Sequence, residues 1–123
     1  MSVKSGQPHT APFEEVYLGK QKLFAVQLGP SGLYNGPSTL WNTKGVKQEE
    51  GSWTDGFREG EWNYFDASGN LESRIIFQHG HPMSYLTNEN GVLQEVSQDQ
   101  WPFSVKYKVQ SEPAGVRMQN AAK

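Results

Sequence analysis

The chain has no cysteine among its 123 residues. That excludes a disulfide framework, a thiolate metal site and a cysteine nucleophile. Long apolar runs are also missing, and no stretch approaches the length needed to cross a bilayer. The polar start Met1-Ser2-Val3-Lys4-Ser5-Gly6 does not read as a signal peptide, so the expected compartment is the cytoplasm. Histidine is scarce, with only His9, His79 and His81. No carboxylate follows them at ligand spacing, so neither a metal nor a cofactor is expected. Helical periodicity is absent too, and at most one short helix fits, around Glu95 to Trp101. With 35% hydrophobic residues and a mean hydropathy of -0.71, a deep core is excluded. The length implies one domain.

What the chain does have is glycine at a near-regular interval. Gly32, Gly45, Gly56, Gly69, Gly80 and Gly91 are separated by 13, 11, 13, 11 and 11 residues. The first gaps sum to a register of 24, which other residues keep: Gly36 returns as Gly60, Trp41 as Phe65 and Trp53 as Phe77. A fixed period in this range means stacked copies of one supersecondary unit. The unit reads as strand, glycine turn, strand, glycine turn, and the predicted fold is all-β, an open antiparallel sheet of tandem hairpins. Four Trp, five Tyr and six Phe supply a thin, aromatic-rich core.

Residues 1–12 read as a disordered arm and residues 13–109 as a single β domain. A first hairpin over 13–28 turns at Gly19-Lys20. The clearest repeats lie at about 32–93, and the copy from Ser84 to Trp101 is shortened by two residues before Asn90-Gly91. Phe103, Val105, Tyr107 and Val109 alternate with polar residues and predict a last strand with those four facing inward. Residues 110–123 read as a loose tail.

Nothing in the sequence points to catalysis. His79 and His81 flank Gly80 beside Pro82, which is turn chemistry. Ser84 and Ser104 lack a nucleophile elbow. The glycines are spaced, not clustered as in a phosphate loop. Charge is more informative. Residues 49–72 hold Glu49, Glu50, Asp55, Glu59, Glu61, Asp66 and Glu72 against Arg58 alone, in a chain of net charge -2. An acidic middle argues against a nucleic-acid binder and has the wrong sign for a membrane surface. It suits a basic protein partner.

The aromatics Trp41, Trp53, Trp62, Tyr64 and Phe65 read first as packing between hairpins. Strand parity puts Trp62 with Tyr64 on one face and Trp41 with Phe65 on the other. A sheet this small covers only one face well. The candidate partner-binding set is therefore Trp41, Glu49, Glu50, Asp55, Glu59, Glu61, Trp62, Tyr64 and Asp66, an aromatic strip with an acidic rim.

The string from Gly51 to Leu71, GSWTDGFREGEWNYFDASGNL, resembles the MORN repeat in its bacterial variant form, G-x-[WF]-x-x-G-x-x-x-G-x-W-x-Y-[YF]-x-x-x-G-x-L. The match is dense over about 21 residues, and weaker copies extend it to roughly 32–93. Residues 1–28 and 94–123 are not covered, and Ser38 stands where Trp62 sits in the best copy. The resemblance implies a meander of hairpins with structural motif residues and no shared catalytic set. It also implies an immunity or antitoxin role, in which the protein binds and neutralises a bacterial toxin such as a nuclease or deaminase. A MORN-type scaffold or membrane-surface adaptor is the second reading. A small enzyme or ligand-binding domain with a pocket at the unmatched ends is the third.

Overall fold

The computed structural model describes residues 12–107 and 114. Eight strands follow one another in chain order within a single antiparallel sheet: β1 (Phe13–Leu18), β2 (Gln21–Leu28), β3 (Tyr34–Trp41), β4 (Lys47–Thr54), β5 (Phe57–Phe65), β6 (Leu71–Gln78), β7 (His81–Glu89) and β8 (Val92–Glu95). The predicted hairpin meander is therefore the observed architecture. The expected arm and tail lie outside the described residues, except for Pro12 and Ala114.

The alternating 13- and 11-residue gaps correspond to two kinds of turn, one at each end of the sheet. At one end, Asp55-Gly56 and His79-Gly80 form two-residue turns with both φ values positive (49° and 87°, 49° and 84°). That backbone twist matches the strands it joins, and glycine occupies the second position without a Cβ clash. At the other end the turns are wider and are closed by a side chain. Asn42 Oδ1 accepts from the N–H groups of Lys44 (2.9 Å) and Val46 (3.0 Å). One repeat later, Asp66 Oδ1 accepts from Ser68 (2.9 Å) and Asn70 (3.0 Å). The shortened last copy also has a structural reason. Between β7 and β8 the wide turn is replaced by a tight one, Asn90-Gly91, with φ of 56° and 89°. The wide turns span 42–46 and 66–70 and the tight one only 90–91, which brings Gly91 two residues earlier in the period.

Register decides the faces. Trp62 lies opposite Ile75, Tyr64 opposite Ser73, and Gly60 opposite Phe77, so these side chains share one face. This is the core face, on which Val26, Trp53, Trp62, Ile75 and Phe77 are buried. Aromatic rings cross it from strand to strand. Phe24, Tyr34, Trp53, Trp62 and Phe77 follow at centroid spacings of 5.9, 5.2, 5.1 and 6.3 Å, the last three contacts edge to face. Each such contact adds about 0.5–1.5 kcal/mol beyond the area buried. Trp62 lies directly over Gly51, where a Cβ would fall 2.2 Å from Trp62 Cδ2. Glycine is required there by contact, not by φ.

The core face is covered by the chain beyond β8, and here the structure corrects the sequence reading. Residues 103–106 are not a strand: Phe103–Lys106 is a short helix, α1, after a 3-10 turn at Gln98–Gln100. Of the expected inward set, Val105 is buried but Phe103 and Tyr107 are not, at 76% and 67% exposed. The same spacing fits a helical turn, which puts Phe103 and Tyr107 on one side (centroids 4.5 Å apart) and Val105 on the other. Pro102 favours this outcome, because it cannot donate to a ladder and is tolerated at a helix start. Val109 lies outside the described residues. The segment anchors through Trp101, whose Nε1 donates to the Val96 carbonyl at 2.9 Å. Farther along, Ala114 accepts from the Tyr34 N–H and donates to the Gly56 carbonyl.

Candidate partner-binding face

The opposite face of β3–β5 carries most of the polar groups. Thr39, Glu50, Asn63 and Arg74 form one row across β3 to β6, each opposite the next. Ser52 lies opposite Glu59, and Glu61 opposite Ile76. Around them is a shallow open trough of about 470 Å³ lined by Pro37, Thr39, Glu50, Ser52, Glu59, Glu61 and Asn63. The trough sits on the backs of the strands whose other face carries Trp53 and Trp62, so its floor is held by the packed core.

The carboxylates here differ in how far they are already satisfied. Glu50 accepts from Lys47 Nζ at 2.8 Å and from Asn63 Nδ2 at 3.3 Å. The Lys47 ammonium holds its carboxyl below the usual range, with the Asn63 amide adding to this and burial opposing it. Asn63 in turn accepts from Arg74 Nε at 2.7 Å, which fixes the amide. Glu61 stands 3.9 Å from Arg74 and is 62% exposed. Glu59 accepts one backbone bond, from the His79 N–H at 3.0 Å. It has no ion-pair partner among the described residues. The trough therefore presents Glu59 and the open side of Glu61 as available acceptors, with neutral donors and acceptors around them.

The candidate residues separate into distinct places. Glu50, Glu59 and Glu61 meet at the trough. Asp55 occupies a tight turn at one end of the sheet and Asp66 a wide turn at the other. The Asp66 carboxylate is engaged in closing its own turn, and the N–H of Asn70, first among its donors, lowers its pKa. Glu49 lies opposite Tyr64 on the core face, 3.9 Å from Arg58, so it does not belong to the acidic rim. Trp62 is 0% exposed and cannot touch a partner, contrary to the expectation of an accessible strip. Tyr64 also belongs to the core face, and burial pushes its hydroxyl well above its ordinary pKa. It lines a smaller cavity of about 210 Å³ with Ser73, Ile75, Tyr85, Ser104 and Val105. That volume is below the roughly 300 Å³ at which ligand pockets begin. Trp41 is half-buried at the end of β3, opposite Lys47.

The sequence reading missed Thr39, Ser52 and Asn63. Parity was the available signal, because Asn63 is two residues from Glu61 and four from Glu59. It also missed Arg58. The guanidinium of Arg58 lies on the core face, 4.8 Å from the ring centres of both Trp53 and Trp62 and 5.8 Å from that of Phe77. The single cation of the acidic stretch is thus absorbed by the core, which leaves the outer carboxylates less neutralised.

Among the described residues, no three His, Asp or Glu side chains converge as a metal site would require. His79 is stacked on Phe57 at 4.5 Å. No helix of the described residues is long and apolar enough to cross a membrane. Comparison with protein-family models, with curated proteins and with solved structures finds no match.

Proposed function

We propose that this protein is a non-enzymatic binding module that holds a basic protein partner against the outer face of β3–β5. The observation that carries the reading is the trough, where Glu50, Glu59 and Glu61 surround a concave surface on the sheet. Arginine or lysine side chains of a partner would enter it and meet Glu59 and Glu61, the two acids least engaged within the chain. Such charge complementarity steers encounter and fixes register more than it supplies raw affinity. The resemblance of residues 51–71 to the variant MORN repeat supports an immunity role. The partner would then be a toxin such as a nuclease or deaminase, whose cationic cleft for nucleic acid the acidic face would occlude.

Co-expression with the product of the adjacent gene, followed by affinity capture, tests this reading. The wild-type chain should retain the partner and suppress its toxicity. The Glu59→Lys, Glu61→Lys double variant should lose both while remaining folded. Undiminished capture and protection by that folded variant would overturn the assignment of this face.

A further inference from the structure

The two edges of the sheet are unlike each other. β8 is four residues long, and a short edge strand is a common safeguard against unwanted pairing. β1 is six residues long, about 20 Å at strand rise, and it is the first strand of the sheet among the described residues. Among the described residues no strand neighbours its far side, which carries backbone N–H and C=O groups. Its side chains are unusually apolar for such a position. Phe13, Val16, Tyr17 and Leu18 are 56%, 47%, 50% and 60% exposed. The irregularity in the β1–β2 pairing leaves the extra residue, Leu23, on β2 (Val16 faces Phe24 and Tyr17 faces Lys22), so β1 keeps an unbroken alternation. An edge strand with exposed apolar side chains is a template for another strand.

We propose that β1 pairs with β1 of a second copy, antiparallel about Val16, to give a two-fold dimer with one continuous sheet. Symmetry limits the choice. A two-fold axis normal to the sheet keeps each face continuous, so paired positions must have the same parity. Centring on Glu15 would set Glu15 against its own copy, and like charges directly opposite are unfavourable. Centring on Val16 places Val16 against itself, Glu15 against Tyr17 and Glu14 against Leu18. No carboxylate then faces a carboxylate. The Tyr17 hydroxyl already donates to Glu15 within the chain at 3.3 Å, and in the dimer it has the Glu15 carboxylate of the second copy as an alternative acceptor. Lys22, 3.0 Å from Glu15, neutralises that charge in each copy. Val16 and Leu18 from both chains run diagonally across the face that carries Phe24, with Glu14 of each copy beside Leu18 of the other. The trough on β3–β5 stays open, so this inference stands independently of the proposed partner.

The absence of cysteine makes the register directly testable. In an antiparallel pair, opposed Cα atoms are about 4.5–5.5 Å apart, within disulfide range. Val16→Cys should therefore cross-link to its own copy under mild oxidation. Glu14→Cys should react at least ~10-fold more slowly, because the two positions are four residue rises apart, about 14 Å along the strand. Sedimentation equilibrium of the wild-type chain should show a concentration-dependent dimer. Val16→Lys, which sets two ammonium groups against each other at an exposed position, should be monomeric with a near wild-type unfolding midpoint. A wild-type chain that stays monomeric up to its solubility limit would overturn the proposal. So would a dimer that survives Val16→Lys, or equal cross-linking of the two cysteine variants.

Discussion

Gly51→Ala is the sharpest test of how the repeat is packed. Gly51 is in the middle of β4, away from any turn, and its φ lies outside the left-handed region. Backbone strain therefore predicts little cost. Packing predicts a large one. The added methyl would lie 2.2, 2.3 and 2.6 Å from Cδ2, Cε2 and Cγ of Trp62. The indole cannot retreat: it is fully buried, edge to face with Trp53 at 5.1 Å, and its Nε1 donates to the Ser52 carbonyl at 3.0 Å. Inserting a methylene-sized group into a packed core typically costs about 1–3 kcal/mol. We expect the upper part of that range, about 2–3 kcal/mol, because backbone on one side and a ring on the other both resist. Gly91→Ala is the control. Its φ is 89° but nothing lies within 4 Å, so it should show only a conformational cost of about 1 kcal/mol. Urea unfolding followed by tryptophan fluorescence would measure both, with m expected to stay constant. A Trp62→Leu background should reduce the penalty of Gly51→Ala, because contacting residues couple. A Gly51→Ala chain as stable as wild type would refute the packing argument.

Three further outcomes follow from the same contacts. Arg58→Lys keeps the charge but loses the flat guanidinium that lies over both Trp53 and Trp62. It should lower stability by about 1–2 kcal/mol in urea titration, and an unchanged midpoint would mean the stacking contributes nothing. Trp101→Ala removes the anchor of the covering segment, at 7% exposure, and should cost about 3–5 kcal/mol while raising dye binding to the core face. Asp66 has a folded pKa below its unfolded one, so its contribution is present above the unfolded value and is lost as pH falls through the folded value. Asp66→Asn should keep the turn, as Asn42 does one repeat earlier, and flatten that acid limb. Asp66→Ala should lower the midpoint at neutral pH, and equal behaviour of the two variants would contradict the capping role.

The meander was legible in the sequence because its turns are built from residues with few alternatives. Asp55-Gly56 and Asn90-Gly91 demand positive φ at both positions, and their spacing gave strand lengths directly. Parity then separated the faces, and it contained more than was taken from it. Glu49 shares parity with Gly51 and Trp53, which already placed it on the core side, apart from Glu50. Which face would be covered could not be read from the strands. That depends on residues 96–107 folding back over Ile75 and Tyr85, a choice made by burial of long-range apolar area. For Phe103, Val105 and Tyr107 the local pattern fitted a strand and a helical turn equally. Tertiary packing and Pro102 decided for the turn. The trough was half legible for the same reason: Glu59, Glu61 and Asn63 follow from parity within β5. Their meeting with Thr39 and Ser52 depends on the register across β3 to β5.

The central claim is that the acidic outer face steers a basic partner onto the sheet. The direct measurement is the association rate with the adjacent gene product at low salt and near 0.15 M, where the Debye length is about 8 Å. Wild type should associate several-fold faster at low salt, and Glu59→Lys, Glu61→Lys should be slow at both salt concentrations. Equal association rates for the wild type and the folded double variant at low salt would contradict the account.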